Sequence, residues 1–308
     1  MSILWVILPP ILFNLGGLID TFLTKELATK QHDGDLHNAT GTLMIIGGFI
    51  ALVVAIILGI IFVQDIQFTM HSLILLLAGI LNGIAAFPYF KALQHEKVEN
   101  IVPVLQSIPI FVYVFGVVFL DEYLSGIKIL LMLAIVICTL FFSRDHESKK
   151  FNTKGLYFTL LSVVCYALSF VVFKLGGKIA DNIGVALFWQ HLGIFLATSY
   201  RFLQKKTVLS TIKYLKKQGA IFAILNICNE LFFIIGYVVL SILFLYHPVV
   251  VVDTLSNGIQ PLLLFGMVYL SYKIFPHIFE RKYNKNIIIQ KIFLCCVLII
   301  LLGFFSFL

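Results

Sequence analysis

Two carboxylates stand deep inside long apolar stretches of this 308-residue chain, Glu230 and Asp253. An ionised side chain in such a setting is costly unless something pairs with it or hydrates it, so each is a candidate functional group. Asn226 and Glu230 are four residues apart and share one helical face, with Asn229 beside them. Asp253 and Asn257 repeat that spacing and Gln260 follows three residues on, which predicts a second polar stripe facing the first across a cavity. Asn82, Gln106 and the Trp189-Gln190-His191 stretch supply further polar groups in other apolar runs. The candidate substrate-binding set is therefore Glu230, Asp253, Asn226, Asn257, Gln260, Asn82, Gln106 and His191. The chemistry these types support is recognition of a polar or cationic group, or carriage of a coupled proton, with no bond made or broken. The competing reading is hydrogen bonding between helices by the amides, worth about 1 kcal/mol each.

Catalytic constellations do not emerge. His95-Glu96 lacks a second histidine at the zinc-protease spacing, and no Gly-x-Ser-x-Gly elbow or phosphate-binding glycine loop occurs. His32-Asp33-Gly34-Asp35-Leu36-His37 has metal-ligand residue types in a spacing that matches no defined site, and reads as a solvated loop. Cys138, Cys165, Cys228, Cys295 and Cys296 all lie in apolar runs, without a CxxC pair, and read as small buried hydrophobes. No catalytic residue, cofactor or metal is expected, and the chain is not expected to be an enzyme.

The elements that must hold these residues are membrane helices. The sequence is 60% hydrophobic and 12% charged, against about 25% charged for a soluble domain. A soluble domain of this length cannot hide such an apolar surplus, so the surplus must face lipid. A helix needs about 20 apolar residues to cross the hydrocarbon. Ten runs approach or meet this, near 2–24, 40–63, 71–93, 98–120, 126–142, 154–175, 183–204, 218–242, 244–272 and 286–308. The runs are continuous and do not alternate, which disfavours a β-barrel. The first lacks a basic leader and carries Pro9-Pro10, as a retained helix would. The longest connections are Lys25–Ala39, Ser143–Thr153, Lys205–Lys217 and Lys273–Lys285, too short for a separate domain. Pro88, Pro103, Pro109, Pro248 and Pro261 interrupt runs three, four and nine, as breaks bordering transport sites do. Gly16-Gly17 and Gly47-Gly48 read as helix-packing pairs.

Residues 1–150 hold eight Lys/Arg against eleven Asp/Glu, and residues 151–308 hold fourteen against four. The basic residues cluster between apolar runs, where topology and anionic headgroups account for them, and no soluble module is available to bind nucleic acid. Nineteen of the 22 Lys/Arg fall in the odd-numbered loops, which places those loops inside and both termini outside. Lys25, Lys91 and Lys174 end apolar runs and are expected to snorkel to headgroups.

An internal repeat is visible. Leu18-Ile19-Asp20-Thr21-Phe22-Leu23-Thr24-Lys25 sits in run one as Ala167-Leu168-Ser169-Phe170-Val171-Val172-Phe173-Lys174 sits in run six. Val102-Pro103 with Ser107-Ile108-Pro109 in run four is echoed by Pro248 and Gly258-Ile259-Gln260-Pro261 in run nine. Five runs per half is odd, so the second half must be inverted. Chance likeness of apolar words is the other reading.

Tyr89-Phe90-Lys91-Ala92-Leu93, Val102-Pro103-Val104-Leu105, Ser107-Ile108-Pro109-Ile110-Phe111 and Phe119-Leu120-Asp121-Glu122-Tyr123-Leu124-Ser125 together resemble the EamA-type drug/metabolite transporters. Cys165-Tyr166-Ala167-Leu168-Ser169, ending at Lys174, is similar to the start of that family's second half. The second half departs from the pattern at Tyr269-Leu270-Ser271-Tyr272-Lys273-Ile274-Phe275-Pro276, where no acidic turn follows run nine. The resemblance implies amino-acid, metabolite or drug-cation substrates and cytoplasmic termini, the reverse of the charge count.

The expectation is an all-α integral membrane protein with two inverted five-helix repeats, residues 1–150 and 151–308, in the cell's inner (plasma) membrane. It would transport a small polar or amphipathic metabolite, amino-acid-like or cationic, by alternating access, with proton coupling an option. The alternatives are a non-transporting scaffold or receptor and, less favoured, an intramembrane lipid-modifying enzyme. The partners expected are the small-molecule substrate and membrane lipids, with no nucleic acid; a homodimer stays open.

Overall fold

The computed structural model describes residues 3–30, 36–95, 101, 104–143, 152–178, 180, 182–218, 220–274 and 285–308. Residues 32–35 of the polar loop, Pro103, and most of the connections at 144–151 and 275–284 lie outside these, as do the side chains of Asp20, Lys25 and His37. No strand occurs among the described residues. The helices are α1 (Leu8–Lys30, entered through a 3-10 turn at Ile3–Ile7), α2 (Leu36–Ile61), α3 (Met70–His95) and α4 (Ile108–Leu120). They continue as α5 (Gly126–Ser143), α6 (Thr153–Gly177), α7 (Ile183–Ser199), α8 (Lys205–Gln218), α9 (Ala220–Tyr246), α10 (Val249–Ile274) and α11 (Lys285–Phe307).

Six of these, α2, α3, α6, α9, α10 and α11, are long and apolar enough to cross a membrane, and α1, α4, α5 and α7 contribute shorter apolar helices. Large apolar side chains such as Ile56, Ile60, Leu130, Phe141, Phe293 and Phe304 point outward, more than half exposed. Lipid can cover such a surface and water cannot.

Two sequence expectations change, and the interruption expected in the fourth run gains its position. The fourth run is not continuous to its end: Ser107 N–H and its hydroxyl both donate to the Val104 carbonyl, at 3.0 and 2.6 Å, and a new helix starts at Ile108. Pro109 then sits in the first turn, where its missing N–H costs nothing. The ninth run begins at Val249 and not at 244, because Pro248 falls in the turn and Phe244–Tyr246 complete α9. The stretch Lys205–Lys217, read as a connection, is the helix α8.

Helices early in the chain pack largely against helices late in it. α3 lies along both α6 and α7, and α1 lies along α9. On α6, Ser162 and Ser169 are two turns apart and donate to the Ala85 and Ala78 carbonyls of α3, each at 2.9 Å. Small residues and cross-helix hydroxyls replace the missing hydrophobic drive for helix association in lipid. Against α7 the approach is closer still. A Cβ on Gly79 would lie 1.9 Å from the Gln190 carbonyl oxygen, and one on Gly193 would lie 2.2 Å from that of Leu76.

Candidate functional site

Glu230 sits in the middle third of α9, with Asn226 and Asn229 buried on the same helix. Its carboxylate lies over Gly47 of α2, where a Cβ would come 3.3 Å from Oε2. A glycine there leaves room for the charged group; Gly48, its neighbour, instead meets Thr198 of α7. Beside the carboxylate, Tyr166 of α6 and Tyr237 of α9 share a hydrogen bond, and both stand within electrostatic reach of Glu230. Tyr89 of α3 is within electrostatic reach of Tyr237. Tyr237 is flanked by Phe13 of α1, ring centroids 5.0 Å apart, and by Phe170 of α6 at 6.3 Å. Tyr166 lies 6.4 Å from Phe170 and Phe13 stacks at 5.9 Å on Phe233.

Asn14, 2% exposed, donates from Nδ2 to the Gln260 carbonyl at 2.9 Å, tying α1 to α10. A Cβ on Gly16 would lie 3.0 Å from Asn229 Oδ1, so that asparagine also presses on α1. One carboxylate, three tyrosines and Phe13, Phe170 and Phe233 thus come from α1, α3, α6 and α9, with Gly47 of α2 beneath the acid. An acid with aromatic rings nearby suits a cation, which draws on the charge of the one and the ring quadrupoles of the others.

The second acid is elsewhere. Asp253 is 1% exposed; its Oδ1 accepts from Asn257 Nδ2 at 2.8 Å, and its Oδ2 has no hydrogen-bond partner among the described residues. Glu230 is sixteen residues before the end of α9 and Asp253 four residues into α10, about 24 Å and 6 Å of helix from the turn that joins them. The two stripes therefore do not face each other: their acids sit at different depths, because a short turn fixes the register of the two helices. Of the remaining candidates, Asn82, Gln106 and His191 are all buried. The His191 ring is 2.8 Å from its own helix's Leu187 carbonyl, and Gln106 sits in the break before α4 with Oε1 unpartnered among the described residues.

A third polar group was not anticipated as a unit. Lys174, 3% exposed, does not snorkel. It forms a salt bridge with Glu122 and donates to the His247 carbonyl at 2.6 Å. The other oxygen of Glu122 accepts from Val249 N–H at 2.7 Å. The pair thus caps both sides of the turn between α9 and α10: lysine at the carbonyl end of one helix, carboxylate at the amide end of the next, each matched to the local helix dipole. Asp121, in the left-handed region at φ 55°, ends α4 and turns the chain so that Glu122 reaches across. At the opposite end of the bundle Lys91 lies over the Phe87 and Phe158 rings at 5.0 and 5.3 Å, and Arg201 over Phe87 and Tyr200 at 5.5 and 4.9 Å.

The sequence carried a signal for Lys174: a lysine closing an apolar run needs an anion as much as a buried acid needs a cation. The tyrosines carried none, since tyrosine is ordinary in such runs.

Residues 4–144 match the EamA-like transporter family, the stretch that carries most of the earlier resemblance. A solved crystal structure of a protein 15% identical in sequence superposes with a TM-score of 0.54, covering 94% of this chain and 95% of its own, a likeness of fold alone. No curated protein sequence matches this one.

Proposed function

We propose that this chain, a multi-pass membrane protein that is EamA-like over residues 4–144, is a secondary transporter of a small cationic or amphipathic metabolite in the inner (plasma) membrane. The observation that carries the proposal is the Glu230 carboxylate at mid-membrane, lodged over Gly47 beside the Tyr166–Tyr237 pair. A carboxylate in an apolar span is costly to carry, and a cationic group docking beside it would draw on its charge.

Alternating access is the mechanism we assign, with residues 1–150 and 151–308 as two inverted halves rocking about this level. The packing supports that division. α1 against α9 is mirrored by α6 against α3, and α4 against α6 by α10 against α1, as a twofold exchange of the halves requires. The family match, ending at residue 144, agrees with a boundary near 150. Within this scheme Glu230 binds the cationic group, Asn226 one turn away on α9 lines its path, and Gln260 contributes from α10. Asp253, held by Asn257, carries the coupled proton. Asn82, Gln106 and His191 serve as packing polar groups, and no catalysis is assigned.

A thermal-shift screen of primary amines, quaternary amines and zwitterionic amino acids against the purified protein selects the flux substrate, because a ligand of the folded state raises Tm. In proteoliposomes Glu230→Gln is expected to lose about a hundredfold or more of the uptake of that substrate while keeping its Tm. Asp253→Asn is expected to retain binding while its uptake no longer responds to an imposed pH gradient. Full, pH-responsive uptake by both variants would remove these assignments.

A further inference from the structure

α8 is unlike every other helix of the protein. Its sequence, KKTVLSTIKYLKKQ, holds five lysines and no acid, and it joins α7 to α9. Thr207 and Thr211, one turn apart, are its buried face, and Thr207 is seated against α2, where a Cβ on Gly41 would lie 2.5 Å from the threonine methyl. Gly41 lies just before the apolar stretch of α2 that starts at Met44, which puts α8 at the border of the hydrocarbon and not within it. The side of α8 turned away from the protein is mixed. Leu209 and Ile212 are 47% and 45% exposed, Leu203 in the preceding turn is 86% exposed, and Lys205, Lys206, Lys213 and Lys216 are exposed among and beside them.

Water is a poor partner for three projecting aliphatic side chains, and hydrocarbon is a poor partner for four ammonium groups. A helix lying in the headgroup plane satisfies both: the aliphatic side chains enter the acyl boundary while the lysines reach sideways and upward to phosphate. The charge is of one sign, which favours anionic headgroups over zwitterionic ones. Arg201, 6% exposed and just ahead of α8, and Lys91 make no ion pair with any described residue, and add to the positive field on this side.

We infer that α8 is an in-plane anchor that binds anionic phospholipid, through Leu203, Leu209 and Ile212 to the acyl region and through Lys205, Lys206, Lys213 and Lys216 to the headgroups. The site is separate from the central one and does not depend on what that one transports.

The test uses the full chain in vesicles, with Leu209→Trp as a reporter. Trp5, which is exposed, is changed to phenylalanine, and Trp189, 8% exposed, stays as an internal reference. Phosphatidylcholine vesicles contain an equal mole fraction of brominated phosphatidylcholine or brominated phosphatidylglycerol. The expected result is quenching by both, with the brominated phosphatidylglycerol about twofold or more stronger, and a ratio near one when all four lysines are changed to glutamine. Ile212→Trp reads the same face and replaces Leu209→Trp if that variant does not fold. No quenching by either lipid, or equal quenching with the lysines intact, overturns the inference. Protection of the reporter with formation of a cross-linked dimer would overturn it as well, by assigning the face to a second copy of the chain.

Discussion

Glu122 and Glu230 are both half-buried carboxylates in an apolar bundle, yet their surroundings differ in kind. Glu122 meets a lysine and a helix N-terminus, so its charge and both oxygens are answered by the protein itself. Glu230 stands over a glycine and within electrostatic reach of two tyrosines. In a low-dielectric setting the first arrangement is a structural tie, and the second is where we propose that a substrate cation docks. Burial alone does not separate them; the chemistry around each does.

The sharpest way to break this contrast is to remove one member of the tie. Lys174→Met leaves Glu122 buried with no counter-charge and is expected to cost about 3–5 kcal/mol, read as a large fall in Tm in detergent or nanodiscs. Adding Glu122→Gln to that variant is expected to restore most of the loss, since the amide oxygen still accepts from Val249 N–H. A deficit of about 1 kcal/mol should remain from the uncapped His247 carbonyl. If the double variant is no better than the single, the pair is not a coupled tie. Stability should hardly respond at the other carboxylate, and flux should.

A smaller effect sharpens the comparison from the other side. Gly47→Ala places a methyl where it crowds Glu230 Oε2 and shifts the carboxylate by a few tenths of an ångström. About a threefold fall in kcat/KM, with Tm moving by less than ~2 °C, is expected from such a displacement. An unchanged flux would say that the position of Glu230 is not used.

Much of the fold was legible because lipid demands long apolar runs, and each of the ten runs contains a helix among the described residues. The breaks were legible in part. Ser107-Ile108-Pro109 announced an interruption, but the exact place depended on a serine hydroxyl bonding to its own backbone. α8 was hidden by its lysines, which made it read as a linker, although Thr207 and Thr211 against Leu209 and Ile212 already have helical spacing. In the site, Glu230 and Asp253 stood out because acids are rare in such company. Their separation in depth did not, since it depends on where Pro248 lets one helix end and the next begin. The partnership of Lys174 with Glu122 joins positions far apart in the chain, and no local pattern encodes it.

The glycines at 79 and 193 bear on what can move. Each faces a main-chain oxygen of the opposite helix at a distance a methyl could not tolerate. Sliding one strut along the other would drive ordinary side chains into that gap, so α3 and α7 can pivot about this contact but not slip past it. Any rearrangement that opens the middle of the protein to one side and then the other must turn on this seam, where two backbones touch.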